Sequence, residues 1–305
     1  MGRGAHWIDL LDPTREEVVA VAPLDLHPRA VHRLVQPPDA EHEPRPTIES
    51  HGDYVFAVLL VAVAVPHEDR VFYQEVDLVL TPNVALSVRK TPPGEEPFDL
   101  TEVQSACDAH GSPSTGLLAY YLVDEIAEGY LRLIDVLDDE IDELEDGIER
   151  WPNERVRMRL SELRHDVLQI RRTLSPTRDA VRRVVDGRVD VGNDLVFDRA
   201  HELDFAAAYD KLLRATEALD ISRELIASAR EFHQSKIGQE QNEIVKRLTV
   251  IASLLLFPTF LVGVYGQNFD DVPELHWHFG YAFSWALILL TTVGQLAFFR
   301  WKKWI

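Results

Sequence analysis

The sequence predicts an α+β membrane protein: a cytoplasmic mixed α/β domain, then a long coiled-coil-like stalk helix that continues into the first of two C-terminal transmembrane helices. Three observations predict it. Residues 248–269 and 275–299 carry no charge, counting His as neutral, and each run exceeds the about 20 residues a helix needs to cross a bilayer. No proline occurs from residue 193 to 257, and Gly238 is the single glycine there, so one helix can run unbroken into the first apolar stretch. Residues 1–115, by contrast, alternate short apolar runs with turn signals. The expected regions are a cytoplasmic α/β domain over 1–115, a helical region with the stalk over 116–247, and a membrane domain over 248–305. Within the last, the spans are expected near 248–267 and 280–299, with an outer loop over 268–279 and a basic tail over 300–305.

In the first region, Asp12-Pro13-Thr14 before "REEVVAVA" reads as a helix start with acids in its first turn. "VFAVLLVAVAV", residues 55–65, is too short to span a membrane and too Val-rich for a helix, so it reads as a buried strand. "DLVLTPNVALSVRK" reads as a hairpin turning at Pro82-Asn83. From Thr115 the period becomes helical. The stretch from Asp124 to Glu149 holds twelve acids and one base, Arg132, and Trp151-Pro152 ends it. A basic helix, Glu154–Leu174, follows, and electrostatic pairing of the two in an antiparallel hairpin is expected. On the stalk, Phe205, Tyr209, Leu212, Thr216, Leu219 and Ile226 fall at heptad spacing, interrupted at Arg223, which implies helix–helix packing. From Asp204 to Tyr265 such a helix is ~93 Å long.

The net charge is −20. The membrane region holds three acids and three bases, so the excess belongs to the cytoplasmic part. A body this acidic is not expected to bind nucleic acid; it repels anions and gathers cations. Cys107 stands alone, which rules out an intrachain disulfide and agrees with a reducing compartment. No enzyme is expected. "HEPRP" and "HELDF" lack the second His of a zincin helix, and no phosphate-cradling glycine loop or nucleophile elbow is present.

Lys246 and Arg247 precede the first span, and Arg300, Lys302 and Lys303 follow the second, while the loop between has only acids. The positive-inside rule puts both termini in the cytoplasm, with the protein in the inner membrane. Trp301 and Trp304 suit the cytoplasmic interface and Trp277 the outer one. The early "VVAVAPL" is short, acid-flanked and broken by Pro23, so it is not expected to be a cleaved signal.

The end of the first span reads Tyr265-Gly266-Gln267-Asn268-Phe269, followed by Val272-Pro273-Glu274-Leu275 and Gly280-Tyr281. With the lead-in "QNEIVKRLTVIASLLLFPTFLVGVYG", and with "WIDLLDPTREE", "HGDYVFAVLL" and "RRTLSPTRDAV" earlier, the chain resembles the CorA family of magnesium and cobalt transporters, the two-span GxN type. Gln267 stands where that family usually has Met, and Val272 where its loop usually has Met. The resemblance implies a funnel-shaped homopentamer, a pore lined by the first spans, and regulatory Mg²⁺ bound between cytoplasmic domains; Asp204 and Asp210 are the candidates for that metal.

The chemistry of this stretch suits a hydrated divalent ion. Mg²⁺ gives up its waters reluctantly. A ring of Asn268 carbonyl oxygens can bond to the water shell rather than strip it, and Gly266 lets the backbone turn and approach. Gly266, Gln267 and Asn268 are therefore the expected selectivity filter, and Asp270, Asp271 and Glu274 the acids that enrich cations at the mouth. Counting back from Asn268 along the helix gives a pore face of Thr259, Leu256, Ala252, Leu248, Val245, Asn242 (or Gln241) and, deeper, Glu231. Thr259 offers a second oxygen ring; Leu256, Leu248 and Val245 offer apolar constrictions that gate by dewetting. His276 and His278 read as interfacial residues rather than metal ligands. The expectation is passive Mg²⁺ influx gated by internal Mg²⁺. The alternatives are a Zn²⁺ or Co²⁺ transporter of the same fold with proton coupling, and a membrane-tethered sensor or enzyme.

Overall fold

In the computed structural model, which describes residues 5–39, 43–65, 70–189, 191, 196–267 and 273–305, the early apolar runs become a five-stranded sheet. Its strands are β1 (His6–Leu11), β2 (Thr47–Ser50), β3 (Val55–Val65), β4 (Arg70–Leu80) and β5 (Val84–Lys90). They lie in the order β1-β5-β4-β3-β2, with β1 parallel to β5 and the rest antiparallel. The hairpin turns at Pro82-Asn83 as expected. Thr81 closes it from both sides: its amide reaches Val84 O at 2.9 Å and its hydroxyl accepts from Val84 N at 3.1 Å.

Helix α1 (Arg15–Val21) begins at Thr14, where sequence placed it. Thr14 Oγ1 accepts from Glu17 N at 3.3 Å and Glu17 Oε2 accepts from Thr14 N at 2.8 Å, a reciprocal capping box. With α2 (Pro28–Val35) it covers one sheet face through Val18, Val31, Leu34, Phe56, Val79, Leu86 and Val88. The other face packs Leu59, Val76, Leu78 and Leu80 against α4 (Thr115–Arg150), where fully buried Tyr130 donates to Leu60 O at 3.1 Å. Helix α3 (Thr101–His110) lies between β5 and α4 in the chain.

Strand alternation puts Glu75 and Asp77 of β4 on the α1/α2 face, both buried. Lys90 of β5 faces Glu75 across the ladder, with Nζ 2.5 Å from Glu75 Oε1 and 2.8 Å from Asp77 Oδ2. Arg33 of α2 closes the network at 2.5 Å from Glu75. Neither oxygen of Asp77 receives a well-directed hydrogen bond. Burial pushes the Asp77 carboxyl up to about 7, with Lys90 pulling against it.

Helix α4 ends at Trp151, whose ring packs so closely on Gly147 that a Cβ there would come within 2.5 Å of it. Helix α5 (Asn153–Val185) runs eleven residues past the expected end at Leu174, through Pro176. Pro removes one backbone donor. Nearby, Thr173 and Thr177 donate hydroxyl protons to Ile170 O and Thr173 O, at 3.1 and 2.8 Å, supplying side-chain hydrogen bonds in that turn. The expected acid–base pairing of the hairpin is present in Arg159–Glu140 at 3.1 Å. Other α5 arginines pair elsewhere: Arg157 with Glu154 on its own helix, Arg183 with Glu49 on β2.

Helix α6 (Arg199–Tyr265) is continuous, with Pro258 inside it, and α7 (Gly280–Trp301) follows. The chain divides into two compact units, Met1–Arg230 and Glu231–Ile305. Within the first, the packing stripe of α6 is Phe205, Ala208, Leu212, Ala215, Leu219, Ser222, Ile226 and Ala229. This corrects the expected series at alternate positions. Ala208, Ala215 and Ser222 are buried where Tyr209, Thr216 and Arg223 were expected, so the buried face runs through the small side chains one residue earlier. Arg223 therefore interrupts nothing.

Candidate ion pathway

Both α6 and α7 contain stretches long and apolar enough to cross a membrane, with mean hydropathy 2.1 and 1.7 over their most apolar windows. In the second unit, each helix has one less exposed stripe. On α6 it is Val250, Ser253, Leu254, Pro258, Leu261 and Tyr265. On α7 it is Ser284, Leu287, Ile288, Thr291, Thr292, Gln295 and Phe299. Both follow the 3.6-residue period, which makes them the natural mutual faces of a helical hairpin.

The sequence-derived pore face is the opposite side of α6. At roughly 100° per residue, Val245, Leu248, Ala252, Leu256 and Thr259 cluster about half a turn away from Val250, Leu254, Leu261 and Tyr265. All five are exposed, Leu248 at 64% and Leu256 at 69%. Asn242 and Glu231, also exposed, lie toward the flank of that stripe. Thr259 donates its hydroxyl proton to Leu255 O at 2.7 Å. The oxygen's lone pairs then remain available to accept from the outward O–H groups of a hydrated cation's waters.

At the helix end, Gly266 N still reaches Val262 O at 2.9 Å, while Gln267 N turns to Val264 O at 3.3 Å, so the last turn tightens. The chain leaves the helix in a turn at Gly266, which it makes without a positive φ. A Cβ at Gly266 would lie 3.1 Å from Val262 O, a tight approach that glycine avoids. Gln267 is exposed. Asn268, Asp270 and Asp271 lie outside the described residues. Glu274 falls in a short 3₁₀ turn, Pro273–His276, and its carbonyl accepts from Trp277 N at 3.4 Å. Trp277 in turn packs edge-on against Phe283 of α7, with ring centroids 5.5 Å apart. His276 and His278 are both exposed.

The regulatory candidates do not meet. Asp204 and Asp210 are six residues apart on α6, which places them on different sides of the helix. No group of three or more His, Cys, Asp or Glu is arranged to hold a metal among the described residues. Sequence reasoning missed Lys211, whose Nζ lies 2.7 Å from Asp124 Oδ1 and 2.6 Å from Glu128 Oε1 on α4. The acids of α4 were visible in the sequence, but the register that brings Lys211 to them was not.

The fold and these spans define a two-span membrane protein whose N-terminal α/β domain precedes one long helix that continues into the first span. The family model described as CorA-like Mg²⁺ transporter protein matches residues 2–303, and the chain belongs to that family. It is 26% identical over 303 residues to a cobalt/magnesium transport protein CorA of Thermotoga maritima, covering 98% of this chain and 83% of that protein. It is 25% identical to a putative metal ion transporter of Bacillus subtilis, covering 98% and 89%. The solved CorA magnesium transporter of Methanocaldococcus jannaschii has the same fold, with a TM-score of 0.77 at 20% identity over 98% of this chain and 91% of that one.

Proposed function

We propose that the protein is a divalent-cation channel that carries Mg²⁺ passively into the cell, through a homopentameric pore closed by high internal Mg²⁺. The observation that carries the pore is the pair of opposed stripes on α6. One side faces the hairpin partner, and the other is a column of apolar and hydroxyl side chains left open in the single chain. The open column includes Leu248, Leu256 and Thr259, the candidates for two dewetting constrictions and an oxygen ring. The names of the relatives support the ion: cobalt/magnesium transport in Thermotoga maritima and metal ion transport in Bacillus subtilis.

Self-assembly is supported higher up the same helix. Ile221 and Leu225 are exposed on the side of α6 away from its packing stripe, and such apolar surface is usually covered by another protein surface. Because the candidates Asp204 and Asp210 do not face one another, regulatory Mg²⁺ would sit between copies of the chain. Both termini would lie in the cytoplasm of an inner-membrane protein.

In this reading Asn268 holds the hydrated ion at the outer end, with Gly266 and Gln267 shaping the turn and Asp270, Asp271 and Glu274 enriching cations outside. Asn268→Ala in proteoliposomes is expected to lower Mg²⁺ flux by at least about tenfold while leaving the assembly intact on a sizing column. Unchanged flux would reduce the spans to a tether. Gln267→Met is expected to change the relative flux of Mg²⁺ and Co²⁺.

A further inference from the structure

Two polar contacts join α6 to α4 eleven residues apart, on one side of α6. Fully buried Ser222 donates to Asp138 Oδ1 at 2.8 Å. Lys211 places its ammonium 2.7 Å from Asp124 Oδ1 and 2.6 Å from Glu128 Oε1. Asp124 and Glu128 are one turn apart on α4, within a stretch of twelve acids whose one base is Arg132. Arg132 is bonded to Glu125 at 2.7 Å. Carboxylates at i and i+4 repel each other modestly, and a cation between them offsets that repulsion.

Lys211 and Asp124 are largely withdrawn from solvent, at 21% and 25% side-chain exposure. Burial alone would lower the Lys211 pKa, but the paired carboxylates of Asp124 and Glu128 outweigh it and hold the ammonium charged. The buried stripe of α6, from Phe205 to Ala229, repeats its pattern every seven residues. A charged clasp on two specific carboxylates marks one position along it. We propose that Lys211 is a positioning residue that supplies a built-in cation at the α4–α6 junction, fixing the register of the long helix there without a divalent ion. Any response to Mg²⁺ must then arise elsewhere. Removing the ammonium leaves two adjacent carboxylates that accept a hydrated divalent cation through its waters in its place.

The full-length protein in detergent tests this by thermal unfolding in EDTA and in millimolar MgCl₂. Lys211→Met is expected to lower the apparent Tm in EDTA by about 5 °C. MgCl₂ should then raise the variant's Tm by more than it raises that of the wild type. Lys211→Arg should behave as wild type. The extra MgCl₂ shift should vanish when Lys211→Met is combined with Asp124→Asn and Glu128→Gln. An unchanged Tm in EDTA, or an MgCl₂ shift equal to that of the wild type, would overturn the proposal. If the Met variant does not assemble, Lys211→Gln, which keeps a donor without the charge, is read by the same two criteria. The readout is unfolding and not flux, so it stands or falls separately from the transport function.

Discussion

Helix α6 carries two different chemistries on one backbone. In its first part, from Phe205 to Ala229, buried residues recur every three or four positions, and Lys211 and Ser222 bond to named carboxylates of α4. In its last part, from Leu248 to Tyr265, the side chains are mostly exposed, although the sequence there is far more apolar. The difference shows that hydrophobicity and burial part company where a helix leaves water. The first part is covered by its own chain; in the proposed assembly the last would present its surface to lipid, to other copies and, on the open side, to the pore.

Paired substitutions test that contrast. Leu212→Ala in the covered part should destabilise the first unit by about 3 kcal/mol, because it leaves a cavity against α4. Leu256→Ala in the open part should leave unfolding within about 1 kcal/mol of wild type and raise Mg²⁺ flux by widening an apolar constriction. Thermal unfolding and proteoliposome flux read the two outcomes, and equal stability losses would erase the distinction. A smaller effect comes from adding volume. Ala215→Leu should cost about 2 kcal/mol by forcing α6 off α4, whereas Ala252→Leu should reduce flux with little change in stability.

The smallest effect lies in the sheet, where charge is buried within the chain itself. Asp77, facing Lys90, Glu75 and Arg33, has a folded pKa raised to about 7 from 3.8. A raised carboxyl pKa means that the folded state takes up a proton. The cost of the buried carboxylate is therefore full above about pH 7 and gone below about pH 4. Relative to Asp77→Asn, the wild type should gain about 1–2 kcal/mol as the pH falls from 8 to 6, measured as the difference in unfolding between the two proteins. A difference that does not change with pH would contradict the assignment.

Much of this architecture was legible in the sequence, and the limits have physical causes. The two spans, the helix start at Thr14, the hairpin at Pro82-Asn83 and the stop at Trp151 each rest on local chemistry, and the structure has all of them. The packing stripe was read one residue late at alternate steps because Tyr209, Thr216 and Arg223 looked more prominent than Ala208, Ala215 and Ser222. The buried face there runs through the smaller side chains. Helix α5 continues past Leu174 and through Pro176, where Ala180, Val181 and Val184 are buried and hold the added turns. The Glu75–Asp77–Lys90 network was invisible because charged residues alternating with Val and Leu normally mark a solvent face. At the candidate pathway, the pore-face stripe followed from helical period alone. Lys211 depends on a contact across 87 residues of chain, from Asp124, which no local pattern encodes.

Ion flux into proteoliposomes is the most direct measurement, comparing Mg²⁺, Co²⁺ and Zn²⁺ with and without a proton gradient and with Mg²⁺ inside or absent. The predicted result is Mg²⁺ entry down its own gradient, indifferent to the proton gradient and suppressed by internal Mg²⁺. Zn²⁺ flux that follows the proton gradient, with little Mg²⁺ flux, would contradict it.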